Sequence, residues 1–317
     1  MTGDIEIVDF HVHYVNPAYP PTIWAPTTPE LAHANEKLVA RLTDIEDVLS
    51  SDRGQVAVRV LNAPPAILAP TGAPLPSETI RAINTHLGRQ VQKHPERLRG
   101  LATIDAWQGV AAADEIRRAV GDLGLSGVVV DAAAAGGDRL LDDPATFPAL
   151  RAAAELNVPV FVHPINPRGF TQQLAGLGLP GSLLARGAID AASLLALLTA
   201  DVLDRFPELR LVLPLIGAPA LLAGAFTDVL EPITRHATAD ARRHVYFDTM
   251  GFDPASIRYL IDVVGADHLV VGSDSPIVAE HVDHDAVIGS LRAAGLTGDE
   301  LVSVAGGTAR RLLDTVH

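Results

Sequence analysis

The sequence predicts an α/β fold, a (β/α)8 barrel, on three observations. Short, β-branched apolar runs occur eight times between Ile5 and Ser273, at intervals of about 25 to 50 residues. Segments with helical periodicity fill the gaps between them. The runs are almost continuously apolar, as strands are when a parallel sheet is covered on both faces. An open doubly wound sheet is the alternative, and it would hold its ligand at a topological switch point. A barrel instead gathers functional residues at the carboxyl ends of its strands.

In chain order the runs are IEIVDF from Ile5, QVAVRVL from Gln55, LRGLATI from Leu98, SGVVVD from Ser126, VPVFVH from Val158, LRLVLP from Leu209, HVYFDT from His244 and DHLVVGS from Asp267. Helices are predicted over residues 77–94, 110–122, 147–156, 191–205, 254–264 and 285–294. The reading is of one domain over residues 1–317, with two loop insertions. Residues 16–38, proline-rich and carrying Trp24, follow the first strand, and the glycine-rich residues 166–190 follow the fifth. In a barrel both would lie over the mouth of the site, where long loops set access and specificity.

Composition narrows the function. Nearly half the residues are apolar, enough for a large core. The absence of cysteine excludes a disulfide framework, a thiol nucleophile and a cysteine-type zinc site. A formal charge of −14 argues against nucleic acid as a partner. The N-terminal stretch MTGDIEIVDF lacks the layout of a secretory signal, so a cytoplasmic location is expected. No membrane span is expected, because the most apolar long window is interrupted by Arg186, Asp190 and Asp201.

The chemistry is concentrated at strand ends. In IVDFHVH, His11 and His13 share one strand face, so two imidazoles project together. The pair alone fits either a metal site or two ordinary hydrogen-bonded histidines. Strand five ends at His163 and strand eight, in GSDSP, at Asp274. Three imidazoles and a carboxylate at matching depths make an N3O donor set suited to one divalent metal, with a position left for water or substrate.

The H-x-H motif, VFVHP, YFDTMG and GSDSP together resemble the amidohydrolase superfamily. More narrowly they resemble its branch related to aminocarboxymuconate semialdehyde decarboxylase, which includes aromatic-acid decarboxylases. HPERLRGLATI, FPALRAAAELNVPVFVHP and VAGGTARRLL extend the likeness over the whole chain. The resemblance implies that His11, His13, His163 and Asp274 ligate one metal, zinc first and manganese second, and that the protein is a homodimer. Two-metal relatives often bridge their metals with a carboxylated lysine on strand four. Here strand four ends VVVDAAAAG, and neither Lys37 nor Lys93, the only lysines, ends an apolar strand. A lysine-bridged pair is therefore excluded.

Strand six departs from that pattern. Where family members carry a histidine that assists proton transfer, this chain reads LRLVLPLIGAPALL and places Leu215. The candidates to replace it are Asp274 itself, Asp248 at the end of strand seven, and His281 or His284 beyond strand eight. Structural roles for these groups, in a hydrogen-bonded strand end or a helix start, are the competing readings. For an anionic substrate, Arg168 and Arg59 are the candidate counter-charges, with Asn62, Leu215 and Trp24 as further substrate contacts.

The function expected is decarboxylation of a small aromatic or unsaturated carboxylic acid. A metal-dependent hydrolase of a C–N, C–O or C–C bond is the alternative. A ligand-binding protein with lost or altered catalysis is the third reading, since Leu215 weakens both mechanisms. GLGLPG at Gly176–Gly181 follows no strand and contains Pro180, so it is read as a loop and not as a dinucleotide site. GGT at residues 306–308 is read as a turn and cap. His86 and His94 are read as solvated.

Overall fold

The computed structural model describes residues 5–21, 29–50, 56–69, 73–223, 243–278 and 282–314. Eight strands are formed: β1 (Val8–His13), β2 (Val58–Asn62), β3 (Leu98–Thr103), β4 (Gly127–Asp131), β5 (Pro159–His163), β6 (Arg210–Leu213), β7 (Val245–Asp248) and β8 (Leu269–Val270). Each pairs in parallel with the next, in the order β1 to β8. The sheet then closes on itself. Phe10 N donates to Val271 O at 2.7 Å and His13 N to Ser275 O at 2.8 Å, which joins the end of β8 to β1. Closure leaves no exposed sheet edge and aims every strand's carboxyl end at one mouth.

Two cores follow from the period-2 geometry of the strands. Val58, Val60, Leu101, Val129, Phe161, Val212 and Val270 pack with Val8 and Phe10 as the barrel's filling. Neighbouring strand residues such as Leu61, Leu98, Val128, Val160 and Leu211 join the larger core against the helices. Ala309, Leu312 and Leu313 of the last helix pack against the filling from outside the strands.

On β1 the simple alternation breaks. The register with β2 shifts between Asp9 and Val12. Phe10 and His11, adjacent in sequence, therefore both bring their rings to Phe161, with centroids 5.9 and 4.7 Å away. A bulge re-aims side chains in this way. It lets Phe10 fill the barrel as a floor while His11 and His13 form the layer above.

The longer helices are α1 (Pro29–Leu42), α2 (Ser77–Lys93), α3 (Val110–Gly121), α4 (Phe147–Glu155), α5 (Leu179–Thr199), α6 (Pro254–Val264) and α7 (His284–Ala293). Asp253 and Asp283 cap α6 and α7, accepting from Ser256 N and Ala286 N at 2.8 Å each. Two expectations need correction here. α5 starts at Leu179, so the stretch expected to be loop as far as Asp190 gives way to helix after Gly178. Gly178, at φ +60°, turns the chain into the helix, and Pro180 sits in its first turn, where its missing N–H costs nothing. Likewise residues 16–38 are not all loop, because α1 begins at Pro29. By length and composition α5 could cross a membrane, yet half of its apolar window is buried within the fold.

Candidate active site

β1, β5 and the turn after β8 place the four expected ligands together. His11, His13 and His163 are each no more than 1% exposed. One ring nitrogen from each lies within 4.8 Å of the others. Ring centroids are separated by 5.0 Å (His11–His13), 5.1 Å (His13–His163) and 5.7 Å (His11–His163). Asp274 Oδ1 stands 3.0 Å from His13 Nε2 and 3.5 Å from His11 Nε2.

Surrounding bonds fix these side chains. His11 Nδ1 lies 2.7 Å from Asp248 Oδ2, and the other Asp248 oxygen accepts from Leu215 N and Met250 N at 3.0 Å each. The ring thus donates from Nδ1 and turns Nε2 toward the cluster. His11 and Asp248 can approach only because residue 272 is glycine. A Cβ there would fall 2.6 Å from Asp248 Cβ and 2.9 Å from His11 Cβ. Asp274 adopts φ +55°, a left-handed conformation unusual for a side-chain-bearing residue. The turn is tied to β1 by Ser273, whose Oγ and N donate to Asp9 at 2.6 and 3.0 Å.

The residues fit a cation. Among the described residues both ring nitrogens of His163 are buried without a hydrogen-bond partner, and Asp274 Oδ1 meets only the ring nitrogens of His13 and His11, an expensive state unless something satisfies them. His11 Nε2 and His13 Nε2 face each other at 3.2 Å beside that carboxylate, a gap that a shared proton or a cation would fill. Burial pushes His163 well below the usual imidazole range and lowers His13 too, so both favour the neutral, ligating form. Burial also opposes charge on His11, but Asp274, Asp248 and Asp9 outweigh it and raise its pKa. Asp274 would be raised by burial, yet His11, His13 and Arg186 hold it below the carboxylate norm.

His163 opens onto a cavity of ≈ 450 Å³, a size suited to a single-ring ligand. Its wall combines apolar groups, among them Trp107, Ile165 and Ile277, with Asp131, Arg168 and Arg186. Asp131 pairs in register with His163 and accepts from Ala66 N at 3.2 Å. Burial, reinforced by Asp105, pushes Asp131 up to about 8 against the lowering effects of the Ala66 N–H and Arg186.

Of the other expected residues, Arg168 borders this cavity, while Arg59 and Asn62 do not. Arg59 is buried opposite Asp9 in the β1–β2 register, and Asn62 Nδ2 donates to Val12 O. Leu215 is half-buried against the outer core. His284 bonds Ile5 O, near the start of β1 and away from the cluster. Trp24 and His281 lie outside the described residues. His86 is not simply solvated: it stacks on Tyr14 and bonds its hydroxyl at 2.9 Å.

Three residues near the site escaped the sequence reading: Asp131, Arg186 and Asp190. Asp131 carried a signal, since it ends β4 just as His163 ends β5. Arg186 and Asp190 sit inside a long apolar helix and carried none.

A family model described as amidohydrolase matches residues 8–315. The chain belongs to the amidohydrolase family. It is 28% identical over 270 residues to gamma-resorcylate decarboxylase of Polaromonas sp. strain JS666, covering 79% of this chain and 82% of that protein. It is 22% identical to 2-amino-3-carboxymuconate-6-semialdehyde decarboxylase of Dictyostelium discoideum, over 83% and 74% of the two chains. Among solved structures, 2,6-dihydroxybenzoate decarboxylase in complex with 2,6-dihydroxybenzoate superposes with a TM-score of 0.79 at 23% identity, over 98% of both chains. The 5-carboxyvanillate decarboxylase of Novosphingobium aromaticivorans, complexed with manganese and 4-hydroxy-3-methoxy-5-nitrobenzoic acid, gives 0.80 at 18% identity, over 99% and 97%. These superpositions show the same fold over 98% and 99% of the chain.

Proposed function

We propose that this amidohydrolase is a metal-dependent decarboxylase of a small aromatic carboxylic acid. The observation that carries the reading is the buried His11–His13–His163–Asp274 cluster, whose His163 lines one cavity of single-ring size. The relatives named above support it. Leu215 favours decarboxylation over hydrolysis. Hydrolysis needs a base to activate water, and no histidine stands at the end of β6. Decarboxylation starts without one: the ring-carbon–carboxylate bond breaks, its electron pair stays on the ring carbon, and that carbon takes up a proton as carbon dioxide leaves.

His11, His13, His163 and Asp274 would hold one divalent ion, proposed as zinc because three imidazoles and a carboxylate suit it. Manganese accompanies one of the relatives named above. Such an ion supplies Lewis acidity toward the substrate carboxylate or a neighbouring oxygen. Asp248 orients His11. The apolar wall with Trp107 and Ile277 seats the ring, and Arg168 draws the anion to the rim. Asp131, bordering the cavity one strand from His163, is placed to hand the proton to the ring carbon. A cytoplasmic homodimer completes the proposal, and light scattering checks the dimer.

The test is a panel of aromatic and unsaturated acids incubated with zinc- or manganese-loaded protein. Carbon dioxide release from an aromatic acid is expected, and Asp131→Asn should cut turnover on the order of a hundredfold while metal stays bound. Hydrolysis of a C–N or C–O bond by the same protein, with no carbon dioxide from any acid, would overturn the reading.

A further inference from the structure

Arg186 stands apart from its neighbours. It lies in the cavity wall with His163, Asp131 and Trp107, on the second turn of α5. Its charge bears on His13, His163, Asp274, Asp131 and Asp190. No hydrogen bond or ion pair within the described residues engages its guanidinium. Other arginines of this fold are paired: Arg118 with Glu115 at 2.7 Å, Arg41 with Asp47 at 3.0 Å, and Arg139, also at the cavity, with Asp143 at 3.4 Å.

The packing of α5 holds Arg186 in that wall. A Cβ at the next residue, Gly187, would fall 2.7 Å from Ile216 O, so glycine lets the helix press against the end of β6. One turn further along, Asp190 shares the face of Arg186. Asp190 is fully buried, and neither carboxyl oxygen has a hydrogen-bond partner among the described residues. Burial pushes its pKa well above the carboxylate range against the lowering effect of Arg186, which favours the neutral acid and leaves Arg186 without an ion-pair partner on its own helix. Trp107 adds a buried indole N–H, also without a partner, to the same wall.

A half-buried guanidinium with no partner among the described residues, set in a cavity wall that mixes Trp107 and Ile277 with charged groups, can anchor a carboxylate. We propose that Arg186 binds a second carboxylate of the substrate, so that the acid taken by this site is an aromatic dicarboxylate. The inference rests on the decarboxylase reading for which carboxylate is lost: one group would leave at the His11–His13–His163–Asp274 end, and the other would stay on Arg186.

Calorimetric titration of the full-length protein, zinc-loaded and metal-free, with benzoate, isophthalate and terephthalate tests this. At least one dicarboxylate should bind the wild type about tenfold or more tighter than benzoate, the gain expected of a charge-assisted bidentate pair. Arg186→Gln should collapse that ratio toward one with little change in benzoate affinity, and Arg186→Lys should restore part of it. Circular dichroism establishes that each variant is folded, and the wild-type ratio decides alone if one is not. Equal binding of mono- and dicarboxylates by the wild type would overturn the proposal. So would an equal loss for all three ligands in Arg186→Gln, or no binding of any acid at millimolar concentration. The titration reads no turnover. A dicarboxylate preference without carbon dioxide release sinks the decarboxylase reading alone, and decarboxylation of monocarboxylates with a ratio near one sinks the Arg186 assignment alone.

Discussion

The two sides of the barrel mouth are built differently. Around β1, β7 and the turn after β8, the groups behind the cluster are tied down. Asp248 accepts three hydrogen bonds, Ser273 gives two to Asp9, and Gly272 lets His11 and Asp248 meet. Around β6 and α5, two ionisable side chains are unmatched: among the described residues the side chains of Asp190 and Arg186 make no hydrogen bond, and Leu215 shows only its backbone to the site through Asp248. The first side is organised before any ligand arrives, as a metal centre must be to keep its geometry. The second is organised toward a ligand that completes it. Metal binding should therefore be sensitive to changes on the first side, and substrate choice to changes on the second.

The largest effect expected is at the cluster itself, on β5. His163→Ala removes a ligand whose two ring nitrogens have no other partner. It should abolish stoichiometric metal binding, read by elemental analysis after dialysis, with the fold retained by circular dichroism. Asp248→Asn keeps the shape but weakens the hold on His11, and should cost about 10- to 100-fold in metal affinity. If Asp248→Asn left metal affinity unchanged while Leu215 substitutions lowered it, the contrast between the two sides would be reversed.

On the other side, Leu215→His introduces an imidazole at the end of β6. It places a polar ring where the structure has an apolar, half-buried side chain. Turnover on the preferred acid should fall by about tenfold, the size of one poorly satisfied polar group, with metal content unchanged. A gain in turnover on that acid would show that the wall is a lost acid/base site and not a shaped pocket.

The smallest effect concerns pH. Asp190 has its pKa raised in the folded protein by burial, so the fold holds a proton that the unfolded chain releases. Its stability contribution is complete below the unfolded carboxylate pKa of about 3.9 and is lost as pH climbs from there toward the raised folded value. Urea unfolding at pH 5 and pH 8 should show Asp190→Asn gaining on the wild type at the higher pH. A wild type that gains on the variant as pH rises would mean that Asp190 is ionised and paired.

The same contrast explains what could be read from sequence. Strands announced themselves through local composition, and the eight runs correspond to β1–β8. His11, His13, His163 and Asp274 were legible because each lies at or just beyond the carboxyl end of a strand, so position along the chain translates directly into position in space. The β1 bulge was not legible: the sequence gives no sign that Phe10 and His11 both turn to Phe161. Nor was the start of α5, where glycine and proline that usually mark loops instead begin a helix. Arg186 and Asp190 were hidden for a related reason. On α5 they looked like interruptions of an apolar helix, and only the packing of that helix over the end of β6 brings them to the site.

The most direct test of the central claim titrates metal-free protein with zinc or manganese while carbon dioxide release from its best aromatic acid is followed. A single site built from His11, His13, His163 and Asp274 predicts that release is absent without metal, rises linearly and saturates at one equivalent per chain. Release that persists after complete metal removal, or that saturates only at two equivalents, would contradict it.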